Sequence, residues 1–153
     1  MEHHKYDVLK IQNQLCFPLY VCAKETIRLY KPFLDELELT YTQYITMMVL
    51  WEKRSVTVKE MGEQLFLDSG TLTPLLKKLE TKGYISRTRS TADERNLIVT
   101  ITDEGDALKD KAIEIPKHMA ENLVIQGNEL IDFYNTLYKL LGHPEIRVER
   151  IEE

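Results

Sequence analysis

A mainly helical chain carrying one small β-hairpin is the fold class this sequence predicts, on three patterns. Thr40-Tyr41-Thr42-Gln43 and Thr57-Val58-Lys59-Glu60 each have capping-box spacing, a Thr followed three residues later by Gln or Glu. Asp68, an N-cap residue, opens a further apolar-periodic stretch that closes at Gly83. Tyr84 to Arg89 then alternates with strand period, and the β-branched run Asn96 to Ile101 returns after a polar turn.

Each element follows in chain order. The first helix carries an apolar stripe at Ile11, Leu15, Leu19, Cys22, Thr26 and Leu29. Pro18 disfavours a regular helix interior, so the helix either begins near Cys16 or kinks there. Pro32 is expected to kink or end it. The second helix runs from the first capping box to about Lys53. Ser55 to Thr57 is short and extended, and the third helix reaches about Phe66. The fourth runs from Asp68 to Gly83, with Pro74 predicting an irregular or tight first turn around Ser69-Gly70-Thr71. After the hairpin, Thr102 caps a long fifth helix to about Val124, with acidic Asp103 and Glu104 in its first turn and a bend at Pro116. Gly127-Asn128 breaks the chain, and a sixth helix runs from about Glu129 to Leu141.

The chain's 153 residues suit one ordinary domain with an added dimerisation layer. The organisation expected is an N-terminal helix for dimerisation and sensing (1–35), a DNA-binding domain (36–102), C-terminal dimerisation helices (103–142) and a loose polar tail (143–153). No apolar run is long enough for a membrane span, and MEHHKYDVLK is not a secretory signal, so a cytoplasmic, membrane-free protein is expected. Two cysteines six residues apart make no disulfide framework, and the four histidines show no metal-ligand spacing, so neither metal nor cofactor is expected.

Net charge is −5, yet residues 68–99 carry six basic against four acidic side chains. That segment is therefore +2 and the remainder −7, which suits one anionic partner at one place. Short helix, tight turn, helix and hairpin make the order of a winged helix-turn-helix, flanked here by N- and C-terminal dimerisation helices. Small residues at the start of the fourth helix (Ser69, Gly70, Thr71, Thr73 and Pro74) allow close approach to double-stranded DNA in the major groove. Lys77 and Lys78 lie one turn later, placed for phosphates. Arg87 and Arg89 lie along the hairpin, and Arg95 near its tip can enter a minor groove. Taken singly, a Thr-rich helix start is a cap, a Lys pair a solvated face and a charged hairpin tip a guard against edge pairing. Their order within about 30 residues is what points to DNA.

Four stretches carry a family resemblance: Asn13-Gln14-Leu15-Cys16-Phe17, Leu39-Thr40-Tyr41-Thr42-Gln43-Tyr44, the run from Leu67 to Glu80, and Asp93-Glu94-Arg95. On these the chain resembles the MarR family, and within it the organic-hydroperoxide-sensing (OhrR-like) one-cysteine branch, over roughly residues 11 to 141. The resemblance implies a homodimeric repressor bound to a pseudo-palindromic operator, not an enzyme. It implies that Cys16 is the peroxidatic cysteine and that Tyr30 and Tyr41 donate hydrogen bonds to its thiolate. The reactants implied are an organic hydroperoxide and a low-molecular-weight thiol, with oxidation ending in a mixed disulfide or in over-oxidation.

Helix geometry adds a constraint. Cys16 and Tyr30 lie about 21 Å apart along one helix, so a Tyr30 that serves Cys16 must come from a partner chain. Cys22, about 9 Å along the axis from Cys16, cannot bridge to it in an intact helix and reads as core. Without the resemblance, Cys16 too reads as a small buried hydrophobe. Two other readings stand beside the thiol switch. One is a MarR-type repressor released by a small aromatic ligand or haem, with Cys16 incidental. The other is a thiol peroxidase, for which no His or Arg lies near Cys16 in the sequence.

Overall fold

The computed structural model describes residues 5–89, 96–143 and 146. The hairpin tip with Asp93, Glu94 and Arg95, and nearly all of the 143–153 tail, lie outside them. The chain separates into two compact units, residues 1–115 and 116–153.

In the first unit, two 3₁₀ turns (Asp7–Leu9 and Ile11–Asn13) precede helix α1 (Cys16–Glu36). The helix begins at Cys16, which resolves the question posed by Pro18. Pro18 falls in the first turn, where its missing N–H has no intrahelical partner to lose. Ile11 and Leu15 therefore lie ahead of the helix rather than on its stripe. Of the two outcomes expected at Pro32, a kink or an end, the helix does not end. Pro32 has no N–H, so one helical hydrogen bond is lost there, but Leu34 and Leu37 beyond it are buried, and Lys31 and Asp35 pair at 2.8 Å across it. Burial of those two leucines outweighs the lost bond.

Helix α2 (Tyr41–Lys53) and helix α3 (Val58–Leu65) each open on a complete capping box, from Thr40 and Thr57. Between them strand β1 (Ser55–Thr57) pairs antiparallel with β3 (Leu97–Ile101), which also pairs with β2 (Ile85–Arg89). The sheet order is β1-β3-β2. Helix α4 (Ser69–Thr81) starts on Asp68, whose carboxylate accepts the Thr71 N–H at 2.9 Å. Its first turn is α-helical but tightened: the Asp68 carbonyl accepts from both Thr71 (3.2 Å) and Leu72 (3.0 Å). Gly83 follows the helix at φ +78, the left-handed position that glycine adopts without steric cost.

The core lies where α2, α3 and α4 meet the sheet. Met47, Leu50, Met61, Leu72, Leu76, Leu79 and Val99 are essentially inaccessible to solvent. The expected long fifth helix is instead three short ones: α5 (Asp103–Ala107), α6 (Lys109–Ala112) and α7 (Ile115–Glu121). Pro116 has no N–H to donate to the Ala112 carbonyl, and the break falls at Ile113 and Glu114. Leu108 stays in the helical region and caps both α5 and α6, so the first division is slight.

In the second unit, α8 (Gly127–Leu140) buries no residue. Its Tyr134 donates a 3.3 Å hydrogen bond to the Tyr138 hydroxyl. That bond, with desolvation and repulsion from Tyr138, pushes the Tyr134 phenol up to about 12. No helix among the described residues is long and apolar enough to cross a membrane.

Candidate DNA-reading and thiol-sensing sites

Helix α4 presents every small or basic residue singled out in the sequence. Ser69, Gly70, Thr71, Thr73, Pro74, Lys77 and Lys78 are exposed, while Leu72, Leu75, Leu76 and Leu79 point into the core. The periodicity of 3.6 explains the split: apolar side chains at i, i+3, i+4 and i+7 anchor one face and free the other. Two hydroxyls are already engaged locally. Thr71 Oγ1 donates to the Asp68 carboxylate at 3.1 Å, and Thr73 Oγ1 donates to the Ser69 carbonyl at 2.7 Å.

The two strand arginines differ. Arg89 is exposed at the end of β2. Arg87 is half-buried, and Glu80 near the end of α4 holds it. Glu80 accepts from Arg87 Nε at 3.0 Å, from its Nη2 at 2.6 Å and from its backbone N–H at 3.2 Å. An acid near a helix C-terminus faces the negative end of the dipole, so its position there needs a compensating cation. Those hydrogen bonds, the side-chain one foremost, hold the Glu80 carboxyl below its ordinary value of 4.5. A depressed carboxylate stabilises the fold fully above 4.5 and loses that contribution as pH falls through its lowered value. Glu80→Gln should therefore lower the Tm at neutral pH, with the difference from wild type shrinking in acid and vanishing once Glu80 is protonated. Thermal unfolding across pH checks this.

The residues expected to form a thiol site lie apart along α1. Cys16 is the helix's first residue and is exposed. Tyr30 lies four turns on, half-buried, with its ring centroid 5.0 Å from that of Tyr41 in edge-on contact. Tyr44 lies 5.9 Å from Tyr30 and 6.0 Å from Trp51. Desolvation raises all three phenols, with repulsion from Tyr41 adding at Tyr30; Tyr44 is pushed up to about 12. Each stays a neutral hydroxyl, able to donate, throughout the physiological range. Tyr44 and Trp51 were not singled out in the sequence. Their spacing from Tyr41, at i+3 and i+10, puts them on one face of α2 and was the available signal. Cys22, read as core, is exposed in the single chain. Its stripe neighbours Leu19 and Leu29 are also open, so the stripe faces away from this chain's own core. Among the described residues no cluster of His, Cys, Asp or Glu is placed to hold a metal ion.

An exposed polar helix backed by a three-stranded wing sheet defines a winged-helix regulator. The profile of the transcriptional regulators SarA/Rot matches residues 28–112. The organic hydroperoxide resistance transcriptional regulator of Bacillus subtilis (strain 168) is 47% identical over 138 residues, 90% of this chain and 94% of that one. The HTH-type transcriptional regulator SarZ of Staphylococcus aureus (strain NCTC 8325 / PS 47) is 46% identical over 127 residues, 83% of this chain and 86% of that one. Reduced AbfR bound to DNA superposes with a TM-score of 0.76 at 32% identity, covering 91% of this chain and 95% of that one. AbfR, a protein of Staphylococcus epidermidis, has also been solved overoxidised on DNA and in a disulfide-formed state. The chain belongs to the SarA/Rot and MarR-type family of winged-helix transcriptional regulators.

Proposed function

We propose that this protein is a homodimeric transcriptional repressor that reads a pseudo-palindromic DNA operator and releases it when Cys16 is oxidised by an organic hydroperoxide. The observation that carries the sensing half is the division of α1. Tyr30 and Tyr41 form a half-buried pair of donors with no thiol of their own chain in reach, and Cys16 stands exposed at the far end of Tyr30's helix. A two-fold partner brings its Cys16 to this chain's tyrosines and gives this chain's Cys16 to its own. Exposed Leu15, Phe17, Leu19, Ile27 and Leu29, and Phe133, Leu140 and Leu141 in the second unit, supply the apolar surface such a dimer buries. Residues 1–35 and 103–142 thus serve dimerisation, and 36–102 read DNA in the cytoplasm.

In the chemistry, the Cys16 thiolate attacks the O–O bond. Sulfur takes up one oxygen and is oxidised by two electrons; the alkoxide leaves and is protonated to an alcohol. A small thiol then attacks the sulfenic acid sulfur, forming a mixed disulfide and releasing water. The hydroxyls of Tyr30 and Tyr41 of the partner subunit donate to the attacking thiolate. Release depends on bulk: a mixed disulfide cannot fit where Tyr30 approaches, whereas an oxygenated sulfur can. The overoxidised AbfR seen on DNA favours the disulfide as the releasing species.

On the DNA side, the N-terminal residues of α4 meet base edges and phosphates, Lys77 and Lys78 meet phosphates, and Arg89 and Arg95 reach the minor groove from the wing. Arg87, held by Glu80, fixes the wing's position rather than presenting itself to DNA. Lys78→Ala should weaken binding to all sequences about equally and lower the salt slope by about one, as binding titrations at several salt concentrations would read. The function as a whole is tested by a gel-shift titration with cumene hydroperoxide and a small thiol. Reduced protein should hold the operator and treated protein release it; a treated protein that stays bound refutes the reading.

A further inference from the structure

Helix α5 is the junction between the tyrosine cluster and the end of the reading helix. From one side, Trp51 Nε1 donates to the Gly105 carbonyl at 3.0 Å. Arg54, three residues on, pairs with Asp106 at 2.5 Å. From the other side, the Thr102 N–H donates to the Tyr84 carbonyl at 3.1 Å, and Thr102 Oγ1 donates to the Gly83 carbonyl at 2.6 Å. Gly83 and Tyr84 are the residues that close α4: their N–H groups return to the Glu80 and Leu79 carbonyls. The two sides meet at Gly105. A Cβ there would lie 2.1 Å from the Tyr84 carbonyl oxygen, so the backbones touch with no side chain between them.

We infer that Trp51 is a positioning residue that passes a displacement of the tyrosine cluster to the C-terminal end of the DNA-reading helix. The route is short and each step is a hard contact. The Trp51 ring packs edge-on against Tyr44, Tyr44 packs against Tyr30, and the Trp51 indole N–H is fixed to Gly105, which rests on Tyr84. Packed interiors transmit such shifts because no void absorbs them. A shift of Tyr30 and Tyr41 by a disulfide on the partner's Cys16 therefore has a rigid path to α4, and half-site spacing tolerates little movement. This inference rests on the thiol-switch reading and adds the residue through which the switch acts. Trp51 is the only tryptophan in the chain, so its fluorescence reports on the junction alone.

The test compares wild type, Trp51→Phe and Cys16→Ser, each reduced and after hydroperoxide and small-thiol treatment, by operator titration and by tryptophan emission. Phenylalanine keeps an aromatic ring and loses the N–H. Loss of a merely structural contact would lower reduced and oxidised affinities together and leave their ratio unchanged. Loss of the relay lowers the ratio, which we expect to fall at least tenfold in Trp51→Phe while Cys16 is still oxidised at the wild-type rate. Should the Trp51→Phe variant fold poorly, the wild-type spectrum decides. Its emission should shift on oxidation, and Cys16→Ser should show no shift. An unchanged ratio in folded Trp51→Phe, or a wild-type protein that releases DNA with no emission change, overturns the relay. Release by treated Cys16→Ser overturns the thiol switch itself, a separate result.

Discussion

Cys16→Ser should abolish oxidative release: hydroperoxide and a small thiol together should lower wild-type operator affinity about a hundredfold and leave the variant's affinity where it was. The serine hydroxyl is nearly isosteric with the thiol but does not attack a peroxide or form a disulfide, so the chemistry is removed with little change of shape. Cys22→Ser is the control. Cys22 lies on α1 about two turns from Cys16 and is exposed in the single chain. Its variant should release DNA as wild type does. Gel shifts of the three proteins, before and after treatment, separate the outcomes. If Cys16→Ser still releases, the small-ligand reading takes over.

Gly105→Ala should destabilise the fold by about 3 kcal/mol, a large fraction of a small domain's stability. The new methyl would overlap the Tyr84 carbonyl oxygen at 2.1 Å and press the Ile101 side chain at 3.1 Å. Neither the carbonyl nor α5 can yield cheaply. The Tyr84 carbonyl already accepts the Thr102 N–H, and α5 is tied down by Trp51 and Arg54. Gly62→Ala should cost less only if Leu67, whose carbonyl oxygen would be 2.7 Å away, moves with the turn it belongs to. Urea unfolding at fixed protein concentration measures both.

What was legible in the sequence was local. Thr40, Thr57, Asp68 and Thr102 marked helix starts because a cap is a contact between residues three apart, and all four side chains accept the N–H their spacing predicts. Gly83 marked the end of α4 for the same reason. The hairpin was legible from alternation, but not the pairing of β1 with β3, which joins residues more than 40 apart. Arg87 looked like a free cation because nothing in the sequence shows that the strand brings it against Glu80. Pro32 leaves the helix unended because the penalty is local while the compensation, burial of Leu34 and Leu37, is tertiary. Cys22 was misjudged because an apolar stripe does not say which chain covers it. The proposed sensor residues Tyr30 and Tyr41 came from resemblance alone; the face that Trp51 shares with Tyr44 was open to the sequence, but its bond to Gly105, 54 residues on, was not.

Sharing of the thiol site between subunits is tested most directly by a mixed dimer. One protomer carries Cys16→Ser with its tyrosines intact; its partner keeps Cys16 but carries Tyr30→Phe and Tyr41→Phe. In this dimer one complete site exists only if each Cys16 is served by the other chain's tyrosines. The double-Phe homodimer should react with cumene hydroperoxide at least about tenfold more slowly than wild type, since each lost donor removes a hydrogen bond to a charged sulfur. The mixed dimer's single Cys16 should react at the wild-type rate. A mixed dimer as slow as the double-Phe homodimer would contradict the shared site.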